Sequence, residues 1–393
     1  MNDILIEAPV LFEERAARRG RRIGIATLNA PRALNGLSLD MARLLDEKLV
    51  AWAKDEAIAV VVLQGAGEKA FCAGGDLQGL YRGMLDYQVR GGWSGDPFLD
   101  PRGNVHAEAF FETEYRLDYR IHTYPKPILC WGHGIVMGGG IGLMAGASHR
   151  VVSERSRLAF PEITVGLFPD VGGSWVLNRV PARAGLFLAL TGAPLSAGDA
   201  LYAGMADHLI AETQRADVMA AACDTVWSDR AEDNHRQLSA LLQGFGPETV
   251  AGPLQQHAEL IASLCAHDEL ADVVSAVAAI EHQDPWLQTA KATLAAGSPG
   301  SARLGHELQR RTLSLSLADV FRLEYTVALH CAAHGDFAEG IRALLIDKDR
   351  NPQWNPSHLR QADRTWAATF FHAPWPEDQH PLADLGRTTG AHA

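Results

Sequence analysis

The chain has 393 residues, 47% of them hydrophobic and 21% charged, the balance of a globular protein with a substantial core. Lys and Arg number 35 against 47 Asp and Glu, and the net charge of −12 argues against nonspecific binding of nucleic acid or of an anionic membrane surface. No apolar run reaches the roughly 18–20 residues that span a bilayer.

At the N-terminus Asp3, Glu7, Glu13 and Glu14 argue against a transit peptide, and no signal-peptide core is present. Cys72, Cys130, Cys223, Cys265 and Cys331 are scattered, without a CxxC pair or zinc-ligand spacing. A reducing, cytoplasmic setting is expected.

Residues 22–28 (RIGIATL) read as a strand, and 39–55 repeat apolar residues at helical spacing. Residues 57–63 (AIAVVVL) read as a buried strand closed by Gly65 and Gly67. A second unit follows, with a strand over 127–131, a glycine-rich turn, a small-residue helix from about Gly140, and a strand over 149–153. Alternating strands and helices predict an α/β architecture. From Val218 to Leu345 the helical period dominates, and the segment after Trp375 reads as a loose polar tail. The plan is an α/β core over 1–215, a helical region over 216–375 and a tail over 376–393.

Two glycine-rich turns follow buried strands: Phe71-Cys72-Ala73-Gly74-Gly75-Asp76, and the stretch from Gly132 to Gly142. Glycine permits positive φ and close approach of backbone amides to a ligand, so two such turns could aim amides at one oxygen. They could equally be tight turns packed on a sheet. Gly140, Gly142 and Ala145, with Glu162 about 20 residues on, fit a dinucleotide fingerprint. However, Gly132 to Gly139 separate that fingerprint from its strand, which counts against it.

Downstream, Glu162 and Asp170 lie among apolar residues, glycines and prolines. Desolvation there would raise a carboxyl's pKa and suit it to acid, base or nucleophilic work. Local chemistry offers the other reading, in which Glu162 opens a helix and Asp170 is an N-cap.

Together these residues resemble the crotonase (enoyl-CoA hydratase/isomerase) superfamily. The resemblance runs from Asn29-Ala-Pro-Arg-Ala-Leu-Asn35-Gly-Leu-Ser, similar to a coenzyme A loop, through Ala70–Asp76, Gly138–Gly140 and Pro161-Glu162 to Thr191-Gly192 and Ala206-Asp207. Hydratases of the family carry a Glu two residues after the glycine triplet, where this chain has Gly142. The 3-hydroxyisobutyryl-CoA hydrolase subfamily fits better. Its glycine motif appears at Gly138–Leu143, and its Pro-Glu to Asp-Val-Gly-Gly motif at Pro161–Gly173. Glu114 in Phe110-Phe111-Glu-Thr-Glu114-Tyr115 matches, as do Ser298-Pro299, Leu323-Glu324-Tyr325, Asp336-Phe337, Glu339-Gly340, Asp347-Lys348-Asp349, Trp354 and Pro356.

The resemblance implies a ββα spiral with C-terminal helices, and hydrolysis of a 3-hydroxyacyl-CoA, with 3-hydroxyisobutyryl-CoA of valine catabolism foremost. Gly75 and Gly139 would supply oxyanion amides. Glu162 would attack the thioester or activate water, Asp170 would bind the hydroxyl or orient Glu162, and Glu114 would line the acyl pocket. Ala33, Leu34, Ala73 and Asp76 would touch the substrate. Coenzyme A would be part of the substrate, with no other cofactor or metal, and a homo-oligomer is possible. Cys72 is expected to be a small residue in a motif rather than a nucleophile, and His133 a packing residue. Arg21, Arg22 and Arg32 are candidates for coenzyme A phosphates or plain surface charge. An enoyl-CoA isomerase or hydratase, and a silent acyl-CoA-binding or ribosome-associated paralogue, are the competing readings.

Overall fold

The computed structural model describes residues 8–89, 100–246 and 251–387. Asp3, Glu7 and the last six residues of the expected tail lie outside them. Compactness divides the chain into two interleaved units rather than at residue 215. The first comprises Met1–Asp76, Arg120–Ala159 and Pro194–His257; the second comprises Leu77–Tyr119, Phe160–Ala193 and Ala258–Ala393.

The first unit holds all the strands of the described residues. They are β1 (Val10–Ala16), β2 (Arg22–Leu28), β3 (Ile58–Gly65), β4 (Ala70–Cys72), β5 (Ile128–Gly132), β6 (Ile135–Met137), β7 (His149–Val152), β8 (Arg157–Ala159) and β9 (His208–Leu209). Six form one sheet in the order β1-β2-β3-β5-β7-β9, and β4-β6-β8 form a second. Only β1 pairs antiparallel in the larger sheet. Along the chain each of β3, β5 and β7 is followed by a strand of the small sheet, which is the ββα spiral expected from sequence.

The apolar run of β3 is buried at every position but Gln64, as befits a parallel strand covered on both faces. One sheet face packs Ile23, Ile25, Val60, Val62 and Trp131 against Val218, Met219, Trp227, Leu238 and Leu242. Helix α1 (Leu39–Lys54) starts where the Ser38 side chain accepts from the Met41 amide, and it buries Met41, Leu45, Leu49 and Trp52.

In the second unit the described residues are helical or irregular, including α2 (Leu77–Val89), α3 (Val105–His122, its last turn counted to the first unit), α5 (Gly173–Leu177), Pro299–Thr312 and Leu317–Ala333. The first unit also holds α4 (Gly139–Ala145). The tail is not loose as far as described. Leu382 is buried, and Arg322 donates to the Leu382 and Leu385 carbonyls. No helix among the described residues is long and apolar enough to cross a membrane.

Asn35 ties the loop 29–38 to the strands. Fully buried with φ 55°, its side chain accepts from the Ala30 amide and donates to the Ala66 and Ala70 carbonyls, each at 2.9 Å. Asn35→Ala strips partners from three backbone groups, that of Ala70 buried and those of Ala30 and Ala66 partly buried, and removes a residue that tolerates the left-handed region. The expected result is a loss of about 2–4 kcal/mol in urea unfolding; a loss below about 0.5 kcal/mol would show the loop is held elsewhere.

Candidate active site

The glycine turns come together within the first unit. β4 and β6 pair in parallel, Ala70 with Ile135 and Cys72 with Val136, so the turns that leave them emerge side by side. Gly74 takes φ +120°, and a Cβ there would sit 3.6 Å from the Met137 carbonyl oxygen. At Gly140 a Cβ would come within 2.1 Å of the Cys72 carbonyl oxygen, so any side chain would push α4 away from β4.

The expected coenzyme A loop is stitched to the first turn. Ala33 ends a 3₁₀ turn and is exposed, and Leu34 follows with φ 54°. Ala73 N–H donates to Leu34 O, Leu37 N–H to Gly74 O, and Asp76 N–H to Leu37 O. The last two bonds form a parallel bridge between Leu37 and Gly75 that leaves the Gly75 amide facing away from it. Gly139 and Gly140 open α4 after Gly138, and the first helical bonds to Gly138 O come from Ile141 and Gly142. The Gly139 amide therefore has no partner within its helix.

Cys72 and His133 are both buried beside the turns. The Cys72 thiol is buried and directed at Gly74 O, 3.5 Å away. His133 is buried with Nε2 3.0 Å from Gly67 O, and burial lowers its pKa. Arg21 pairs with Asp229, and Arg22 with Glu14 and Asp55. Arg32 is exposed beside the loop.

The carboxylates gather in the second unit. Glu114 and Asp118 stand one turn apart on α3, on the face that also buries Phe110, Phe111, Tyr115 and Leu117. Glu162 opens a 3₁₀ turn behind Pro161, as its local chemistry allowed. Asp170 is not an N-cap. Gly172 holds that position for α5, and the Asp170 side chain instead accepts from the Tyr115 hydroxyl at 2.8 Å. Glu324, on Leu317–Ala333, accepts from the Gly172 amide (2.7 Å), the Ser174 amide (3.0 Å) and the Ser174 hydroxyl (2.5 Å). Those bonds hold a strained link, because buried Val171 has φ 56°, a conformation that β-branched residues avoid.

The late motif residues clamp the Glu162 turn. Ser298 N–H donates to Ile163 O at 3.0 Å. The Asp336 carboxylate accepts from the Ser298 hydroxyl (2.6 Å) and the Asn355 amide (2.7 Å). A Cβ on Gly340 would meet the Val165 carbonyl carbon at 2.3 Å, so the two backbones lie in direct contact.

Burial dominates the electrostatics. It raises the pKa of Asp170 to about 7 and of Glu324 to about 8, the latter despite its donors. Glu114, Asp118 and Glu162 are held well above the usual carboxylate range, first by burial and then by the charge of Asp170. Glu162 Oε2 and both Asp118 oxygens are buried without a hydrogen-bond partner. No group of His, Cys, Asp and Glu among the described residues could hold a metal ion. The cluster is a set of acids that burial makes hard to ionise, suited to proton transfer and to nucleophilic attack by a member that ionises.

Sequence reading identified Glu114, Glu162 and Asp170 as site residues. Tyr115 and Glu324 stand inside recognisable motifs without a role of their own, and Asp118 and Ser174 carry no motif signal. The four-residue spacing of Glu114 and Asp118 on an apolar helix face was the available signal.

A family model described as Enoyl-CoA hydratase/isomerase matches residues 23–371. The 3-hydroxyisobutyryl-CoA hydrolase, mitochondrial, of Danio rerio is 35% identical over 355 residues, 89% of this chain and 86% of that protein. A crystal structure of an enoyl-CoA hydratase from Rhodobacter sphaeroides superposes with a TM-score of 0.78 at 33% identity, over 93% of this chain and 97% of that one. A carnitinyl-CoA dehydratase from Mycobacterium thermoresistibile gives 0.80 at 33%, over 95% and 98%.

An acid that folding makes harder to ionise stabilises the native state below its unfolded pKa, and that contribution is lost as pH rises through the folded value. Asp118, raised and unpartnered, is such a group. Asp118→Asn keeps the shape and removes the titration. Its stability relative to wild type should climb from pH ~5 to pH ~8, by at most about 1.4 kcal/mol per pH unit. Thermal melts across that range check this; a constant difference would show that Asp118 ionises normally.

Proposed function

The chain belongs to the enoyl-CoA hydratase/isomerase family, and from that premise we propose that it hydrolyses a 3-hydroxyacyl-CoA thioester, 3-hydroxyisobutyryl-CoA foremost. The observation that carries the reading is the intact Glu162–Asp170 acid cluster in a chain with Gly142 where family hydratases hold a second Glu. The relative from Danio rerio, named for this hydrolysis, supports it.

Hydrolysis needs an amide cradle for the thioester oxygen and a carboxylate for the attack. In the proposal Gly75 and Gly139 supply the amides, and Ala33, Leu34, Ala73 and Asp76 contact the substrate. Glu162 either takes a proton from water or attacks the acyl carbon itself. In both routes the carbon–sulfur bond breaks and the sulfur is protonated and leaves as the coenzyme A thiol; where Glu162 attacks, the mixed anhydride so formed is cleaved by water at the acyl carbon, which frees Glu162, and the water oxygen ends in the product carboxylate. Asp170 binds the 3-hydroxyl, and Glu114 lines the acyl pocket. The substrate carries the coenzyme A, so no separate cofactor enters.

The same proposal places the enzyme in valine breakdown and in the cytoplasm. The five cysteines, all without disulfides, support a reducing compartment. Cell fractionation tests the location against the mitochondrial one in the relative's name.

The test is release of free thiol from 3-hydroxyisobutyryl-CoA without added metal. Glu162→Gln should lower kcat by ~10²–10⁴ with KM nearly kept. Efficient hydration of crotonyl-CoA with no thiol released from the hydroxyacyl substrate would overturn the reading in favour of a hydratase. A Gln variant keeping more than about a tenth of kcat would remove Glu162 from the chemistry.

A further inference from the structure

Hydrolysis as proposed assigns nothing to Tyr115, yet its hydroxyl is the one side-chain donor recorded on Asp170 among the described residues, at 2.8 Å from Oδ2. Both side chains are buried, and the Tyr115 ring is wedged against Phe111 (5.8 Å), Phe321 (5.7 Å) and Tyr325 (6.4 Å). A ring so enclosed cannot swing away, so packing aims the hydroxyl.

Asp170 and Glu162 differ in this respect. Asp170 Oδ2 has a side-chain donor in Tyr115, whereas Glu162 Oε2 is buried with none and that carboxyl is served only by its own backbone amide. The titratable groups around Asp170 are Glu114, Tyr115 and Asp118 from α3, Glu162 from its own segment, and Glu324 and Cys331 from Leu317–Ala333. All of these are acids. In such surroundings one negative charge is tolerable; Glu324 has three donors yet is still pushed up to about 8, so the charge settles on Asp170, which Tyr115 serves and which is raised only to about 7.

We propose that Tyr115 is a positioning residue that fixes Asp170 and holds the site's single negative charge on it, so that Glu162 becomes anionic by passing its proton to Asp170. The use made of that proton rests on the hydrolase reading above. At rest Asp170 is the anion and Glu162 the acid. The proton moves from Glu162 to Asp170, and no charge is gained or lost. Along the water route Glu162 then takes a proton from water while the oxygen bonds to the acyl carbon. The carbon–sulfur bond breaks, and its electron pair leaves on sulfur. Asp170 gives its proton to that thiolate and is an anion again. The product acid loses its own proton to solvent. The electrostatics agree: burial takes Asp170 only to about 7, while burial and the Asp170 charge hold Glu162 well above the usual range.

The experiment is a carbon-13 carboxyl NMR titration of the substrate-free protein, with the Asp170 signal identified by its loss in Asp170→Asn. Removing the donor in Tyr115→Phe should raise the Asp170 titration by about 1 pH unit or more. In the thiol-release assay the acid limb of the kcat/KM profile should move up by the same amount. Replacing Tyr115 with 3-fluorotyrosine, a more acidic phenol and a stronger donor, should move the titration down; it decides alone if Tyr115→Phe fails to fold. A ring that only packs would lower the melting temperature and leave both titration and profile in place, and that result overturns the proposal. If the wild type releases no thiol, the hydrolase reading fails, while the titration still decides whether Tyr115 holds the charge on Asp170.

Discussion

Moving a carboxylate out of water is costly, and five carboxyls, those of Glu114, Asp118, Glu162, Asp170 and Glu324, are buried in one helical unit. The structure meets that cost by burial that makes the acids hard to ionise, so that little charge is shared among them, rather than by neutralising them with cations. Donors are rationed. Tyr115 serves Asp170, and Ser174 with the Gly172 amide serves Glu324. The bonds to Glu324 also hold the strained Val171 link, so the acid that anchors the loop and the acid beside it are parts of one assembly. The late motif does comparable work for Glu162, whose turn is held by Ser298 and lies against Gly340.

The first unit obeys a different constraint. There backbone lies directly on backbone, so side chains must be absent where α4 meets β4, as at Gly140. The loop 29–38 adds rigidity through Asn35 and through the Leu37–Gly75 bridge, which orients the Gly75 amide. Precise placement of donors before reaction is what makes an oxyanion cradle effective.

Much of this was legible in the sequence. The apolar runs marked β2, β3, β5 and β7 to within a residue or two, because buried parallel strands are apolar at nearly every position. Edge strand β1 escaped notice, since Glu13, Glu14 and Arg15 interrupt its alternation. β4, β6 and β8 are three residues each, too short to show a period. Local chemistry could not reveal that Asp170 meets Tyr115, because the two lie 55 residues apart in sequence. The same limit applies to Glu324 and Ser174, 150 residues apart, whose bond appears only when helices pack. The interleaving of the two units is likewise a property of packing, which no boundary drawn along the chain could express.

A buried acceptor built to meet a hydroxyl rejects a ligand that lacks one, because the acceptor is then left unpaired. The central claim is that the Asp170 carboxyl, with Tyr115 on one oxygen, meets the 3-hydroxyl of the acyl group. The direct measurement is kcat/KM for thiol release from 3-hydroxyisobutyryl-CoA and from isobutyryl-CoA, in wild type and in Asp170→Ala. The account predicts a wild-type preference on the order of 10²–10³ for the hydroxylated substrate, water in the gap softening the full penalty, and a preference that shrinks in the variant. Equal rates for the two substrates in the wild type would contradict it and make the protein a general acyl-CoA thioesterase.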